Sequence, residues 1–314
     1  MSGGFRRLHA RLALTGATGF VGRAVLDEAL GHGHDLRALT RRAQRLRERV
    51  EWVEGTLGDS PALEQLCEGA DAIIHVAGLT NAPDPAEFER ANVAGTANMI
   101  AAAKAAGVDR FVFVSSLSAR EPELSAYGAS KARAERLVMD SGLSSTIVRP
   151  PAVYGPRDTD MFELFRSARL GVVPLPPGGA TSIIHAHDLA ALLVALGDTQ
   201  GPKAAFRTVF EPDDGREGGW AHTQLAQAIG RAVGRRRVFA PHLPRGVLDL
   251  AARADRMLRG AGAKLTADRV GYMAHPNWVA RSDRRVPGEI WEPRIGGEEG
   301  LKATAQWYRN EGWL

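Results

Sequence analysis

A chain of 314 residues, 44% apolar and 24% charged, suits one large α/β domain or a large one beside a small one. No apolar run reaches the ~18 residues that a spanning helix needs, and Met1 to Ala10 lacks the apolar core of a signal peptide. Cys67 is the only cysteine, which excludes an internal disulfide and a cysteine-based zinc site and fits a cytoplasmic location. The net charge of +4 is spread along the chain without aromatic interleaving, so no nucleic-acid partner is expected.

Arg11 to Thr15 reads as a short buried strand. Gly16-Ala17-Thr18-Gly19-Phe20-Val21-Gly22 follows it, and a helical run from Arg23 to Leu30 comes next. In that setting Gly16 permits a tight turn, Gly19 lets backbone approach a pyrophosphate, and Gly22 lets the helix pack closely on the strand. The helix N-terminus then offers N–H groups and positive dipole to an anion. Asp35 to Thr40 is a second strand ending at Arg41-Arg42. An acid at this point would hydrogen-bond an adenine ribose 2′-OH, whereas Arg41 pairs with a 2′-phosphate, which favours NADP(H) over NAD(H).

Val50 to Val53 is a third strand, and Pro61 opens a short helix to Glu68. Ala70 to Val76 is continuously apolar, as in a parallel sheet covered on both faces. Ala77-Gly78 beyond it is small enough to admit a cofactor. Glu87 to Ala106 reads as one long helix and Asp109 to Ser115 as the next strand, ending in Ser115-Ser116-Leu117-Ser118. Residues just past the strand C-termini of such a sheet line the ligand crevice, so a serine here can donate to a substrate oxygen. Tyr127 and Lys131 lie four apart on one helix face, where the ammonium would favour phenolate and lower the tyrosine pKa. Tyr127 is thus a candidate general acid or base for a carbonyl/alcohol pair. Strand-helix alternation through residue 149 predicts a doubly wound, mostly parallel Rossmann sheet.

Together these motifs resemble the short-chain dehydrogenase/reductase superfamily, in its extended, epimerase/dehydratase-like branch. The segments that carry the likeness run in family order: Thr15 to Gly22, His75-Val76-Ala77-Gly78, Asn92-Val93-Ala94-Gly95-Thr96, Ser115-Ser116, Tyr127-x-x-x-Lys131, Arg149 to Pro156 and His185 to Ala190. Trp307 to Leu314 resembles the closing segment. The resemblance implies a catalytic set of Ser116, Tyr127 and Lys131, with Lys131 also holding the nicotinamide ribose. It implies a cofactor shell of Gly16, Thr18, Gly19, Phe20, Val21, Arg41, Thr56, Leu57, Val76, Ala77, Gly78, Tyr127, Lys131, Pro150 and Val153.

Departures from the family bear on substrate. Thr56 stands where an adenine-contacting Asp is common, with Asp59 a weaker substitute. Ala152 replaces the Asn that contacts a diphosphate in sugar-nucleotide members. Leu117 and Ser118 replace the acidic pair of dehydratases. The likeness is closer to atypical and hydroxysteroid-dehydrogenase-like members, and no metal is expected.

Beyond Pro156 the alternation breaks. Helices are expected at Asp160 to Leu170, Asp188 to Leu196, Thr223 to Val233 with Thr223 as cap, and Pro244 to Leu258. A strand is expected at Thr181 to His185 and a flexible acidic loop at Glu211 to Gly219. Pro244 to Leu258 is amphipathic and basic, either a core-packed helix with a solvated face or a surface element for membranes or a lid. Residues 1–155 are expected to form the dinucleotide-binding domain, rejoined by the chain around 181–210, and 156–314 mostly a smaller substrate lobe. The reading is an NADP(H)-dependent oxidoreductase acting on an alcohol/carbonyl carbon of a small or moderately apolar substrate. The alternatives are a nucleotide-sugar epimerase with transient hydride transfer and a non-catalytic dinucleotide-binding scaffold or sensor. The resemblance also implies a homodimer built on the long helices around 87–106 and 127–140.

Overall fold

The computed structural model describes residues 9–199 and 205–314. Seven parallel strands form its main sheet: β1 (Arg11–Thr15), β2 (Asp35–Thr40), β3 (Val50–Glu54), β4 (Ala72–His75), β5 (Arg110–Val114), β6 (Ser144–Val148) and a late strand at Thr208–Phe210. In space the order is β3-β2-β1-β4-β5-β6 with the late strand outermost beside β6. Strand order reverses at β1, so the crevice between β1 and β4 is the switch point at which such sheets bind ligands. Leu14 sits level with Ala38 on one side and Ile74 on the other, and Ile74 with Val112. The strands therefore end together at Thr15, Thr40, His75, Val114 and Val148.

Alternating side chains cover both faces, which is why these strands read as unbroken apolar runs. Leu12, Leu14, Ile74, Val112 and Val148 face α1 (Phe20–Gly31) and a later helix at Ala186–Gly197. Ala13, Ile73, Phe111, Phe113 and Ile147 face α2 (Ser60–Cys67) and the long helices beyond it. Burying each of those phenylalanines is worth about 2–3 kcal/mol. The expected helix from Glu87 to Ala106 is present but not uniform. It comprises α3 (Pro85–Phe88), a π-helical turn at Glu89–Ala94, and α4 (Gly95–Ala105). The π turn centres on Asn92, whose side chain leaves the helix to bond elsewhere. The helix α5 (Ala126–Asp140) follows, capped by Ser125, whose Oγ accepts from Gly128 N at 2.9 Å.

The remaining chain builds a second, separate core on the C-terminal side of the sheet. β7 (Ala152–Tyr154) pairs with β9 (Ile183–His185), and β8 (Ala180–Thr181) joins a three-stranded sheet with β11 (Trp220–Ala221) and β12 (Asn277–Trp278). Here α6 (Phe162–Arg169), α8 (His222–Ala232) and α11 (Gly297–Asn310) enclose Tyr154, Phe165, Trp220, Ile229, Leu301 and Tyr308. The helix at Ala186–Gly197 is α7 and the outermost sheet strand is β10. His185 caps α7, its Nδ1 accepting from His187 N at 3.2 Å.

Two expectations fail locally. The cap position of α8 is Ala221, so Thr223 lies inside the first turn rather than before it. The acidic loop from Glu211 is held rather than loose. Glu211 is buried against two arginines, and Asp214 accepts from Trp220 Nε1 at 2.8 Å. Charge count along the sequence gave no sign of partners that arrive from residues 120, 149 and 220.

Candidate active site

The glycine turn has the geometry expected of it. Gly16 has φ +76°, and a Cβ there would sit 2.8 Å from the Ala77 nitrogen at the end of β4. A Cβ on Gly22 would overlap the Gly16 carbonyl, so only glycine lets α1 start so close to β1. Gly19 is the cap of α1 and is exposed, with no side-chain hydrogen bond capping the helix start. The N–H groups at Phe20 and Val21 thus begin a helix whose positive end opens on the β1/β4 crevice. Thr18 bends over this end, its carbonyl accepting from Arg23 Nε at 3.0 Å. These residues form a cradle that a Cβ would fill, and they fit the diphosphate of a dinucleotide.

The other predicted contacts lie beyond the C-terminal ends of β2, β3, β4 and β6. Arg41 follows β2 directly and is exposed. Thr56 is also exposed, with its Oγ1 accepting from Gly58 N at 3.2 Å. Asp59, weighed as its substitute, is occupied in capping α2 through Ala62 N. Leu57 lies against Gly95 at the start of α4. Val76, Ala77 and Gly78 leave the end of β4, where Ala77 N donates to Thr15 Oγ1 at 3.1 Å. Pro150 is buried beyond β6 and accepts from Leu117 N at 3.1 Å, while Val153 on β7 is half-buried over the first core.

Tyr127 and Lys131 both lie on the buried face of α5. Lys131 Nζ donates to Val114 O at 2.9 Å and stands 5.1 Å from the centre of the Phe113 ring. A Cβ on Gly78 would meet Lys131 Nζ at 3.1 Å and Asn92 Oδ1 at 2.9 Å, so the β4 exit, the π turn and α5 converge. Asn92 locks that junction: its Oδ1 accepts from Leu79 N at 2.7 Å, and its Nδ2 donates to Leu79 O and Ser130 Oγ. Burial pushes the Lys131 ammonium down to about 8, with Glu135 opposing the shift.

Tyr127 departs from expectation in one respect. Burial pushes its phenol up to about 12, against the expected lowering by Lys131. The groups that favour its phenolate are the Ser116 hydroxyl, as hydrogen-bond partner, and the more distant Arg269 guanidinium, while Tyr272 opposes them. Desolvation of a nearly enclosed phenol exceeds all of these, and Lys131 directs its N–H to the Val114 carbonyl. Ser116 also accepts from Ser118 N at 3.2 Å, which fixes its side chain at the end of β5.

Several groups at this site come from elements that local patterns do not connect. The helix α10 (Ala267–Met273) lies across the start of α5. Asp268 accepts from Ala126 N at 2.5 Å and Tyr127 N at 3.3 Å, and the Tyr272 ring is 6.0 Å from that of Tyr127. Phe88 flanks Tyr127 on another side at 5.9 Å. Arg269 is anchored by Asp160 at 3.0 Å. Behind Lys131 runs a charge chain: Ser115 donates to Glu135, Arg149 pairs with Glu135 at 2.6 Å and with Glu211 at 3.4 Å, and Arg120 pairs with Glu211 at 3.2 Å. Asn92 carried a sequence signal, as a polar residue inside an alanine-rich helix. Asp268, Arg269 and Glu211 carried none.

A doubly wound parallel sheet, a glycine turn at its switch point and a buried Tyr–Lys pair beside it define a dinucleotide-dependent oxidoreductase of the short-chain dehydrogenase/reductase type. Residues 12–205 match the NAD dependent epimerase/dehydratase family, and the chain belongs to it. It is 37% identical to a ceramide reductase of Caulobacter vibrioides over 96% of both chains. It is 28% identical to a 2-alkyl-3-oxoalkanoate reductase of Stenotrophomonas maltophilia over 93% of this chain and 97% of that one. Among solved structures it superposes on gox2253 with a TM-score of 0.76 at 25% identity, covering 97% and 99% of the two chains. It superposes on MoeE5 in complex with UDP-glucose and NAD with a TM-score of 0.72 at 22% identity, covering 96% and 99%. The cofactor is a nicotinamide dinucleotide.

Proposed function

We propose that this enzyme is an NADP(H)-dependent reductase of a ketone or aldehyde carbon in a moderately apolar, chain-bearing substrate. Ser116, Tyr127 and Lys131 act as its catalytic set. The dinucleotide supplies the hydride when it is bound over the Gly16 turn. Ser116 orients the substrate oxygen, and Tyr127 gives it a proton. A phenol whose pKa is pushed up to about 12 stays protonated at neutral pH, which suits it to the donor role in reduction. Lys131 holds the ribose, and the groups that favour the phenolate left behind are the Ser116 hydroxyl and the Arg269 guanidinium. Phe88 and Tyr272 close on Tyr127 and keep water from the transfer.

The observation that carries this reading is the burial of Tyr127 and Lys131 on one face of α5, beside Ser116 and above a glycine cradle. The relatives named for ceramide and for 2-alkyl-3-oxoalkanoate support a substrate with long alkyl chains. Exposed Arg41 supports the 2′-phosphate form of the cofactor. The chain 1–155 serves the cofactor and 156–314 mostly the substrate. A homodimer through the long helices fits the exposure of Leu137 and Met139 on α5, and a cytoplasmic setting fits the single buried thiol.

The test is consumption of NADPH and NADH with ketones of graded chain length. Tyr127→Phe should cut turnover by about 10²–10⁴-fold while NADPH still binds. Arg41→Ala should weaken NADPH by at least about tenfold and leave NADH nearly unchanged. Equal affinity of the wild type for both cofactors refutes the preference. Full turnover by the phenylalanine variant refutes the mechanism.

A further inference from the structure

The helix α9 (Arg245–Arg259) is attached to the protein by its narrow side. Its buried residues are Leu248 and Ala252, which pack on Val270 of α10. Its broad apolar face points outward. Val247, Leu250, Ala251, Ala254, Met257 and Leu258 recur at the spacing of one helical stripe over three turns. The four large ones are 47%, 67%, 87% and 85% exposed. An amphipathic helix that merely completes a core turns this stripe inward, as α8 does with Leu225, Ala226 and Ile229. Most of the apolar stripe of α9 thus faces away from the protein.

Arginines outnumber acids on the helix. At 100° per residue, Arg253 borders the stripe next to Met257, Asp249, Arg256 and Arg245 follow round to the face opposite it, and Arg259 lies in the last turn. Of the two acids on α9, Asp255 is already engaged. It accepts from Lys264 N and Leu265 N and pairs with Arg259 at 3.2 Å. The chain leading into α9 adds apolar surface. Phe239, paired with Val172, is 69% exposed.

We propose that α9 is a docking element for the surface of an anionic lipid bilayer. It would lie in the interface with its apolar stripe among the acyl chains and its arginines at the headgroups. The fit is one of chemistry: exposed aliphatic side chains bordered by an excess of arginine match a layer that is apolar beneath and negative above. The position has a use. α9 packs on α10, and α10 carries Tyr272 against Tyr127, so docking sets the catalytic cleft one helix from the bilayer. That use rests on the reductase reading; the docking does not.

The full chain is sedimented with vesicles of phosphatidylcholine alone and of phosphatidylcholine mixed with phosphatidylglycerol. A Leu250→Glu/Leu258→Glu variant and an Arg253→Gln/Arg256→Gln variant run beside it, with circular dichroism to confirm that both fold. Wild type should pellet with the anionic vesicles and release at high salt. The leucine variant should partition at least about tenfold more weakly, and the arginine variant should lose the preference for anionic lipid. Both side-chain pairs are exposed, so neither change should alter NADPH affinity. Failure to pellet with anionic vesicles overturns the proposal, as does equal pelleting by the leucine variant. A wild type that ignores vesicles but halves in mass by light scattering when the leucines are changed would assign the stripe to a second copy instead. Vesicle binding and cofactor binding are read separately, so a protein that binds NADPH but no vesicle, or the reverse, overturns one reading without touching the other.

Discussion

Lys131 is a cation at 4% exposure whose Nζ donates to a neutral carbonyl, that of Val114. Burial holds its pKa near 8, well below the 10.5 of the free side chain. Between those values the unfolded chain binds more protons than the folded one, so this residue makes the protein more stable as pH rises from 8 towards 10.5. Below pH 8 the charged amine costs stability. Lys131→Met should therefore stabilise the fold at pH 7 by about 1–3 kcal/mol, with an advantage that fades by about 1.4 kcal/mol per pH unit above 8. Denaturant unfolding of both proteins at pH 7 and pH 10 measures it, and a methionine variant less stable at pH 7 would show that the cation is not strained. A buried lysine with its pKa so lowered is a candidate for a functional site. Tyr127, Lys131 and Ser116 were legible in the sequence because a four-residue spacing and a strand end locate them. The direction of the Tyr127 shift was not, since it depends on enclosure by Phe88 and Tyr272, which only the folded chain brings near.

Among the elements, the first six strands of the main sheet were readable to within a residue or two, because strands and helices alternate there, whereas β10 (Thr208–Phe210) lies beyond that alternation and was not read as a strand. Glu87 to Ala106 was right in extent, but its π turn was not visible, since it follows from the bonds Asn92 makes to Leu79 and Ser130. The start of α5 shows how elements far apart in the chain complete one another. Ser125 satisfies one N–H of the first turn, and Asp268 satisfies two more from α10. A carboxylate at that end also meets the positive dipole of the helix that carries Tyr127. Asp268→Ala leaves those N–H groups without acceptors and should cost about 1–2 kcal/mol. Asp268→Asn, which keeps an acceptor without the charge, should recover roughly half of that loss. If urea midpoints for the alanine variant match wild type, α10 is not a cap for α5, and its place over Tyr127 rests on ring packing alone.

At the scale of the whole molecule, the two cores are joined by buried charge as well as by apolar contact. Glu211, just past β10, has a fully buried side chain and accepts from Arg149 on the sheet side, from Arg120, and from the Arg281 backbone. Arg120 in turn donates to Val279 O and Asn277 O and lies over the Trp278 ring. The strand β12 is thus tied to the ends of β5 and β6 through one carboxylate. An ion pair of this depth gains little over an apolar substitute, but removing one partner leaves the other charges buried without compensation. Glu211→Gln leaves the largely buried Arg120 without a carboxylate, while Arg149 keeps Glu135, and it should lower stability by about 3 kcal/mol. The loss should appear as a shifted midpoint with unchanged denaturant dependence if the two cores unfold together. A second transition in the variant would mean that this carboxylate is what makes them cooperative. A change below about 0.5 kcal/mol, the level of an ordinary surface substitution, would mean that solvent reaches the pair and that apolar contact alone holds the substrate side against the sheet.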